Sequence, residues 1–294
     1  MQTPWGEVEV LDSHVHFFSR RFLDSLGSQC GKDAREVADL AGWEFPGSAE
    51  DLAHRWADEL DGNGVSGSSL IASIPGDETS VAAAIAACPG RFYAYAMVNP
   101  LSEHASIAPG LRSICLFPAM HRYSLHDPRV EALLQEATER RCAVFVHCGV
   151  LTVGIRKKLG LPSPFDMRFS NPLDLHAVAL RFPQVPFIVP HFGAGYFREA
   201  LMLADLCPNV FLDTSSSNSW MRYEGLDLAA VFRRALDVAG SRRLLFGTDS
   251  SFFPRGWNRA VFDSQLQALM TVGIGPDDAR AIFGGNLQRV LGNS

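Results

Sequence analysis

Several features that would narrow the function are missing from this chain of 294 residues. No apolar run is long enough to cross a bilayer. The opening residues MQTPWGEVEV have neither the basic start nor the apolar core of a signal peptide. There is no block of lysine and arginine, and a net charge of −6 with a pI near 5.8 argues against nucleic-acid or membrane partners. The six cysteines (Cys30, Cys88, Cys115, Cys142, Cys148 and Cys207) form no CxxC pair. Several lie in apolar segments, where a reduced thiol packs as a small hydrophobe, so a cytoplasmic enzyme fits better than a disulfide framework. No low-complexity linker and no short-period repeat divides the chain, and residues 1–294 read as one domain. The apolar fraction of 47% and mean hydropathy of +0.04 are those of a globular protein.

What is there is an alternation. Short apolar, β-branched or aromatic runs at 8–12, 69–74, 92–98, 111–117, 142–146, 186–190, 209–213 and 243–247 read as strands. CAVFVH and PFIVPH are continuously apolar, as buried parallel strands are. Between them lie amphipathic helices with recognisable starts. Ser48 caps SAEDLAHRWADEL, Asp127 and Pro128 open DPRVEALLQEATERR, and Asn171 and Pro172 open NPLDLHAVALRF. About eight such units predict an α/β fold, a single (β/α)₈ TIM barrel. The longest insertion, 17–47, follows the first strand as a loop on the catalytic face, a candidate lid or substrate wall. The stretch 152–170 follows the fifth strand, and the last segment reads as a helix pair broken at Gly284-Gly285.

The stretch LDSHVHFFSR places His14 and His16 two residues apart at the end of the first strand, on one face of it. Such a pair is either two partly exposed histidines or half of a metal site, because neutral imidazole ligates zinc and its neighbours. Three further residues decide in favour of a shared site. His147 ends the fifth strand, His191 the sixth and Asp249 the eighth. Barrel enzymes build their sites from such strand ends. The other reading of Asp249 is a helix N-cap in TDSSF.

The ordered set HxH…H…H…D, carried by DSHVH, VFVHCG, VPHFGAGYFREAL, FLDTSS and LLFGTDSSF, resembles the amidohydrolase superfamily. Within it, the chain is similar to the amidohydrolase-2 group, which includes aminocarboxymuconate-semialdehyde decarboxylase. The resemblance spans nearly the whole chain. It implies one divalent metal, zinc with manganese as the alternative, held by His14, His16, His147 and Asp249. His191 would act as base or orient the substrate. Zinc in catalytic sites keeps an open position and brings the pKa of its water near neutral, and Asp249 can also accept a proton from that water. Many relatives carry a bridging lysine on the fourth strand where LRSICLFP has Cys115, so a single metal is expected, with Cys115 a packed thiol rather than a ligand.

The substrate is less legible. Asn99, Trp220 and Arg222 are candidates to touch it, Arg222 by pairing with a carboxylate, as Arg255 or Arg156 also could. Tyr223 lies beside Arg222, and Phe17, Phe18, Phe165, Phe253 and Trp257 hint at an aromatic wall. Ser215, Ser216 and Ser217 read as a polar loop, Cys148 should face away from His147, and HFGAG lacks the spacing of a dinucleotide site. The leading expectation is a metal-dependent hydrolase of a small amide, lactone or ester. The alternative is a non-oxidative decarboxylase of an unsaturated or aromatic acid, and a third reading is a non-catalytic binding barrel. A small-molecule substrate and a homodimer are the expected partners.

Overall fold

Eight parallel strands pair in chain order around a nearly closed barrel. The computed structural model describes residues 1–103, 105–215 and 218–292. The strands are β1 (Leu11–Phe17), β2 (Gly67–Ala72), β3 (Phe92–Val98), β4 (Ser113–Leu116), β5 (Ala143–Val146), β6 (Phe187–Val189), β7 (Val210–Asp213) and β8 (Leu244–Leu245). A small hairpin of Gln2–Thr3 and Gly6–Glu7 precedes them. Among the described residues no helix is long and apolar enough to cross a membrane.

Strand periodicity sorts the apolar residues into two shells. Tyr95, Met97, Cys115, Phe145, Ile188, Phe211 and Leu245 form the barrel interior. Their neighbours Ala96, Ile114, Val144, Val189, Leu212 and Leu244 pack outward against the helices. The same parity turns His147 inward and leaves Cys148 in the outer shell, its thiol on the Val146 carbonyl.

β1 departs from simple alternation, and the site depends on that departure. The first strand runs over Leu11–Phe17 rather than 8–12, so both histidines lie within it. Its register against β2 shifts between Asp12 and Val15. Leu11 belongs to the interior while Val15 and Phe17 belong to the outer shell. The bulge absorbs one residue, and its effect is to turn His14 and His16 inward where unbroken alternation would send them out.

The barrel closes between β1 and the chain beyond β8. Ser13 N–H donates to the Phe246 carbonyl at 2.8 Å and His16 N–H to the Ser250 carbonyl at 2.7 Å. Asp12, fully buried, accepts from the His14 and Thr248 amides, the Thr248 hydroxyl and the Trp257 indole at 2.8 Å. A carboxylate offers only acceptors, which suits four converging donors.

The insertion 17–47 is not a loop. It folds as α1 (Arg20–Cys30) and α2 (Ala34–Ala41). Ser19 caps α1, a capping box of Asp33 and Glu36 opens α2, and Gly31 and Gly42 end the two helices in the left-handed region. The pair has its own small core of Phe22, Leu23, Leu26, Val37 and Ala38, closed by Ile155 from the 152–170 stretch. Lys158 donates to the Ala41 carbonyl and Arg156 to Gln29, tying the two segments into one roof. The closing helices also differ from expectation. Pro276–Arg280, a π turn at Ala281–Gly285 and Asn286–Leu291 run on without a break. Gly284 is required there by contact, since a Cβ would lie 2.6 Å from the Glu9 carbonyl oxygen.

The Asp12 cluster generates a stability prediction. Asp12→Ala strands several buried donors, each costing about 1–3 kcal/mol. We expect a loss of about 3 kcal/mol in denaturant unfolding. A loss below about 1 kcal/mol would show that closure does not depend on this carboxylate.

Candidate metal centre and its cavity

At the C-terminal mouth the strand ends bring the histidines together. His14 Nε2 and His16 Nε2 lie 3.3 Å apart. Asp249 Oδ1 is 3.4 Å from His16 Nε2 and 3.7 Å from His14 Nε2. Donor atoms of His14, His16 and His147 lie within 4.8 Å of one another, so these three could hold a metal ion. The His191 ring centroid is 4.9 Å from that of His14 and 6.1 Å from that of His147. Two of these residues carry backbone strain: His191 has φ 55° and Asp249 φ 57°, in the left-handed region.

Beneath the histidines lies a carboxylate that the sequence reading passed over. Asp213, at the end of β7 and fully buried, accepts from Ser13 and Ser215 and faces His14 Nδ1 at 3.4 Å. Burial pushes its carboxyl up, but the His14 hydrogen bond and charge, His191 and Ser13 outweigh this and bring its pKa to about 2. The signal was available, since Asp213 ends a strand just as His147 does. His14, His191 and Asp213 also have donors within 4.8 Å of one another, yet the Ser215 hydroxyl stands among them, 2.9 Å from His14 Nδ1 and 3.0 Å from His191 Nδ1. Gly247 is needed beside this group because a Cβ would sit 2.5 Å from Asp213 Oδ2.

The electrostatics divide the imidazoles. Burial opposes charge on His14, but its hydrogen bond with Asp213 and that carboxylate's charge outweigh it and raise its pKa. Burial, followed by the neighbouring histidines, pushes His16 and His147 well below 6.5, so both are neutral donors of the kind a metal takes. Two facing imidazole nitrogens 3.3 Å apart need something between their lone pairs, either an N–H of one ring donated to the other or a metal ion. The donor set therefore fits a divalent metal. Burial raises the Cys115 thiol, which keeps its proton and sits 3.3 Å from His147 Nδ1.

A cavity of about 570 Å³ opens above the centre. His16, His147, His191 and Asp249 form its floor, and Phe22, Leu26 and Gln29 of α1 and Trp43 its roof side. An aromatic stack runs along one wall: His16 to Phe18 at 5.5 Å, Phe18 to Trp43 at 5.1 Å and Trp43 to Phe252 at 4.8 Å between ring centroids. The Arg255 guanidinium lies 4.6 Å over Phe252 and donates to the Asp249 carbonyl and Ser251 Oγ. Arg156, Phe117 and Phe165 complete the lining.

The structure places the other sequence candidates away from this cavity. Asn99 turns back to accept from the Leu101 amide, Trp220 is buried against Phe197, and Arg222 is exposed with its guanidinium on Tyr223. Phe17 and Phe253 are core residues, and Trp257 serves Asp12. Ser216 and Ser217 lie outside the described residues.

Known proteins share this family and this fold. The family model described as Amidohydrolase matches residues 12–292. A solved 5-carboxyvanillate decarboxylase from Sphingomonas paucimobilis is 16% identical, with a TM-score of 0.65 over 98% of this chain and 100% of that one. A structure described as a probable 2-pyrone-4,6-dicarboxylic acid hydrolase from Acinetobacter baumannii, with citric acid bound, is 13% identical, with a TM-score of 0.62 over 97% and 100%. An amidohydrolase from Burkholderia multivorans with bound zinc is 15% identical, with a TM-score of 0.61 over 97% and 99%. These likenesses show the fold. Protein fluG of Emericella nidulans is 35% identical over 85 residues, 29% of this chain and only 10% of that protein.

His121 gives a pH prediction. It lines the cavity, its Nδ1 lacks a partner among the described residues, and burial lowers its pKa to about 4. A depressed histidine contributes stability that is present above its unfolded pKa near 6.5 and lost as pH falls through about 4. Metal-free protein should therefore lose stability across that window, and His121→Phe should lose less of it, measured by thermal melts at each pH. Identical pH profiles for the two proteins would contradict the assignment.

Proposed function

We propose, from the premise that the chain belongs to the amidohydrolase family, that it is a metal-dependent hydrolase of a small planar amide, lactone or ester bearing a carboxylate. The observation that carries this reading is the convergence of His14 Nε2, His16 Nε2 and Asp249 Oδ1 within 3.3–3.7 Å, beside His147, with His16, His147 and Asp249 facing the cavity and His14 buried beneath them. His14, His16, His147 and Asp249 would hold one divalent cation, zinc being the ion that best suits imidazole and carboxylate donors. When bound, the cation supplies a Lewis acid and lowers the pKa of a coordinated water.

The chain's own residues supply the rest. Asp249 and His191 both line the cavity and can take the proton an attacking water sheds, then return it to the leaving oxygen or nitrogen. The stack of Phe18, Trp43 and Phe252 offers flat faces to a planar substrate. Arg255 is the carboxylate anchor: it lines the cavity, and its Nη2 donates to the Asp249 carbonyl and Ser251 Oγ, which holds it beside the centre. Roof residues of α1 and Trp43 shield the centre from water.

One observation favours a second reading. A guanidinium beside the centre in an aromatic-walled cavity also suits non-oxidative decarboxylation, in which a ring carbon gains a proton and the carboxylate leaves as CO₂. A decarboxylase and a probable pyrone hydrolase share this fold, so the fold does not choose between the two. Product analysis does: an added water in the product marks hydrolysis, and released CO₂ marks decarboxylation.

Elemental analysis of purified protein should find about one zinc or manganese per chain, lost in His147→Ala. Two metals, or none after reconstitution, would contradict the site. Stripping the metal with a chelator should lower the melting temperature, because a ligand bound only by the folded state stabilises it. Arg255→Gln should raise KM about 10–100-fold for a carboxylated substrate, consistent with a charged hydrogen bond of about 1.5–3 kcal/mol. An unchanged KM would remove Arg255 from the substrate's path.

A further inference from the structure

A metal takes an imidazole nitrogen only through its lone pair, so the position of the histidine proton matters as much as the position of the ring. In this structure the Nδ1 atoms of all four site histidines face small side chains whose own hydrogen is already committed. Ser215 is the clearest case. Its hydroxyl has one hydrogen and two lone pairs. The ionised Asp213 can only accept, so the Ser215 hydrogen goes to Asp213. The two lone pairs then accept from His14 Nδ1–H at 2.9 Å and His191 Nδ1–H at 3.0 Å. Donation in the other direction would leave oxygen facing oxygen at Asp213.

The same count holds at His16. Ser73 donates its hydrogen to the Ile71 carbonyl at 3.1 Å, leaving its oxygen to accept from His16 Nδ1–H at 2.9 Å. At His147 the partner is sulfur: the Cys115 thiol points to the Leu116 carbonyl, and Sγ accepts from His147 Nδ1–H at 3.3 Å. Thiols are weaker in both roles, so this is the softest of the three.

We infer that Ser215, Ser73 and Cys115 are positioning residues that fix all four histidines as the Nδ1–H tautomer, so that the Nε2 lone pairs of His14, His16 and His147 are presented to one cation and that of His191 is kept as a base. One serine sets two imidazoles, a ligand and the proposed base, and couples both to Asp213. Cys115 thereby has a use on the fourth strand: it orients a ligand from behind without binding the metal. The inference deepens the metal assignment proposed above and rests on it for function, but an N–H at these Nδ1 atoms is a property of the protein with or without metal.

The test uses full-length protein labelled with ¹⁵N histidine, metal-free and zinc-loaded, read by long-range ¹H–¹⁵N spectra, which distinguish the two tautomers. His16, His147 and His191 should show Nδ1–H in both forms. Competition with a chelator then gives zinc affinity. Ser215→Ala and Ser73→Ala should each weaken it about 10–100-fold, the usual cost of removing a group that orients a ligand, while Cys115→Ser should stay within about threefold of wild type and Cys115→Ala should fall below it. The His191 Nδ1 resonance should shift in Ser215→Ala and stay in place in the Ser73 and Cys115 variants. Should Ser215→Ala fail to fold, Ser73→Ala and the Cys115 pair decide on the other side of the site. Nε2–H tautomers at these histidines, or alanine variants that bind zinc like wild type, would overturn the inference. Wild type that binds no zinc but shows the Nδ1–H pattern would overturn the metal assignment and leave the tautomer control standing.

Discussion

Two imidazole nitrogens held 3.3 Å apart at the mouth of a barrel are the constraint around which this protein is organised. Bare lone pairs at that distance repel, so the arrangement requires an N–H or a metal ion between them. Folding has to impose it, and three devices do so. The β1 bulge turns His14 and His16 inward, the Asp12 cluster pins that strand against the far edge of the sheet, and Asp213 holds His14 from beneath. Buried polar groups of this kind are costly unless every donor and acceptor is matched. Here the matching is nearly complete, and it reads as a rigid socket in which burial and hydrogen bonding, rather than exposure, prepare the donors.

Floor and roof are separate parts of the molecule. The floor is made of strand ends and is fixed by the barrel. The roof is a helix pair with its own small core, joined to the 152–170 stretch by Ile155, Lys158 and Arg156. The cavity wall can therefore vary through α1 and Trp43 while the strand ends stay in place, which is how a barrel fold comes to host different reactions.

How much of this was legible in the sequence follows from which signals are local. The eight strands were readable because each is a short apolar run, and His147, His191 and Asp249 because each ends one. The β1 boundary was missed because a bulge leaves no local mark: Ser13 and His14 look like the start of a loop until the parity of Leu11 and Val15 is known from packing. α1 and α2 were readable in principle from Ser19, Asp33, Glu36 and the glycines Gly31 and Gly42, but a long segment between two strands drew the simpler reading of a loop. Asn99, Trp220 and Arg222 were chosen for being near strand ends in the sequence, and local bonds turn each of them elsewhere. Ser215 and Ser73 could not be singled out at all, because a serine becomes informative only when its hydrogen-bond partners are known.

The central claim is that one cation sits among His14, His16, His147 and Asp249 with Cys115 behind a ligand rather than on the metal. X-ray absorption at the zinc edge of reconstituted protein tests it most directly. The account predicts a shell of nitrogen and oxygen at about 2.0–2.2 Å with no sulfur. A sulfur scatterer at about 2.3 Å would place Cys115 on the metal and contradict the account.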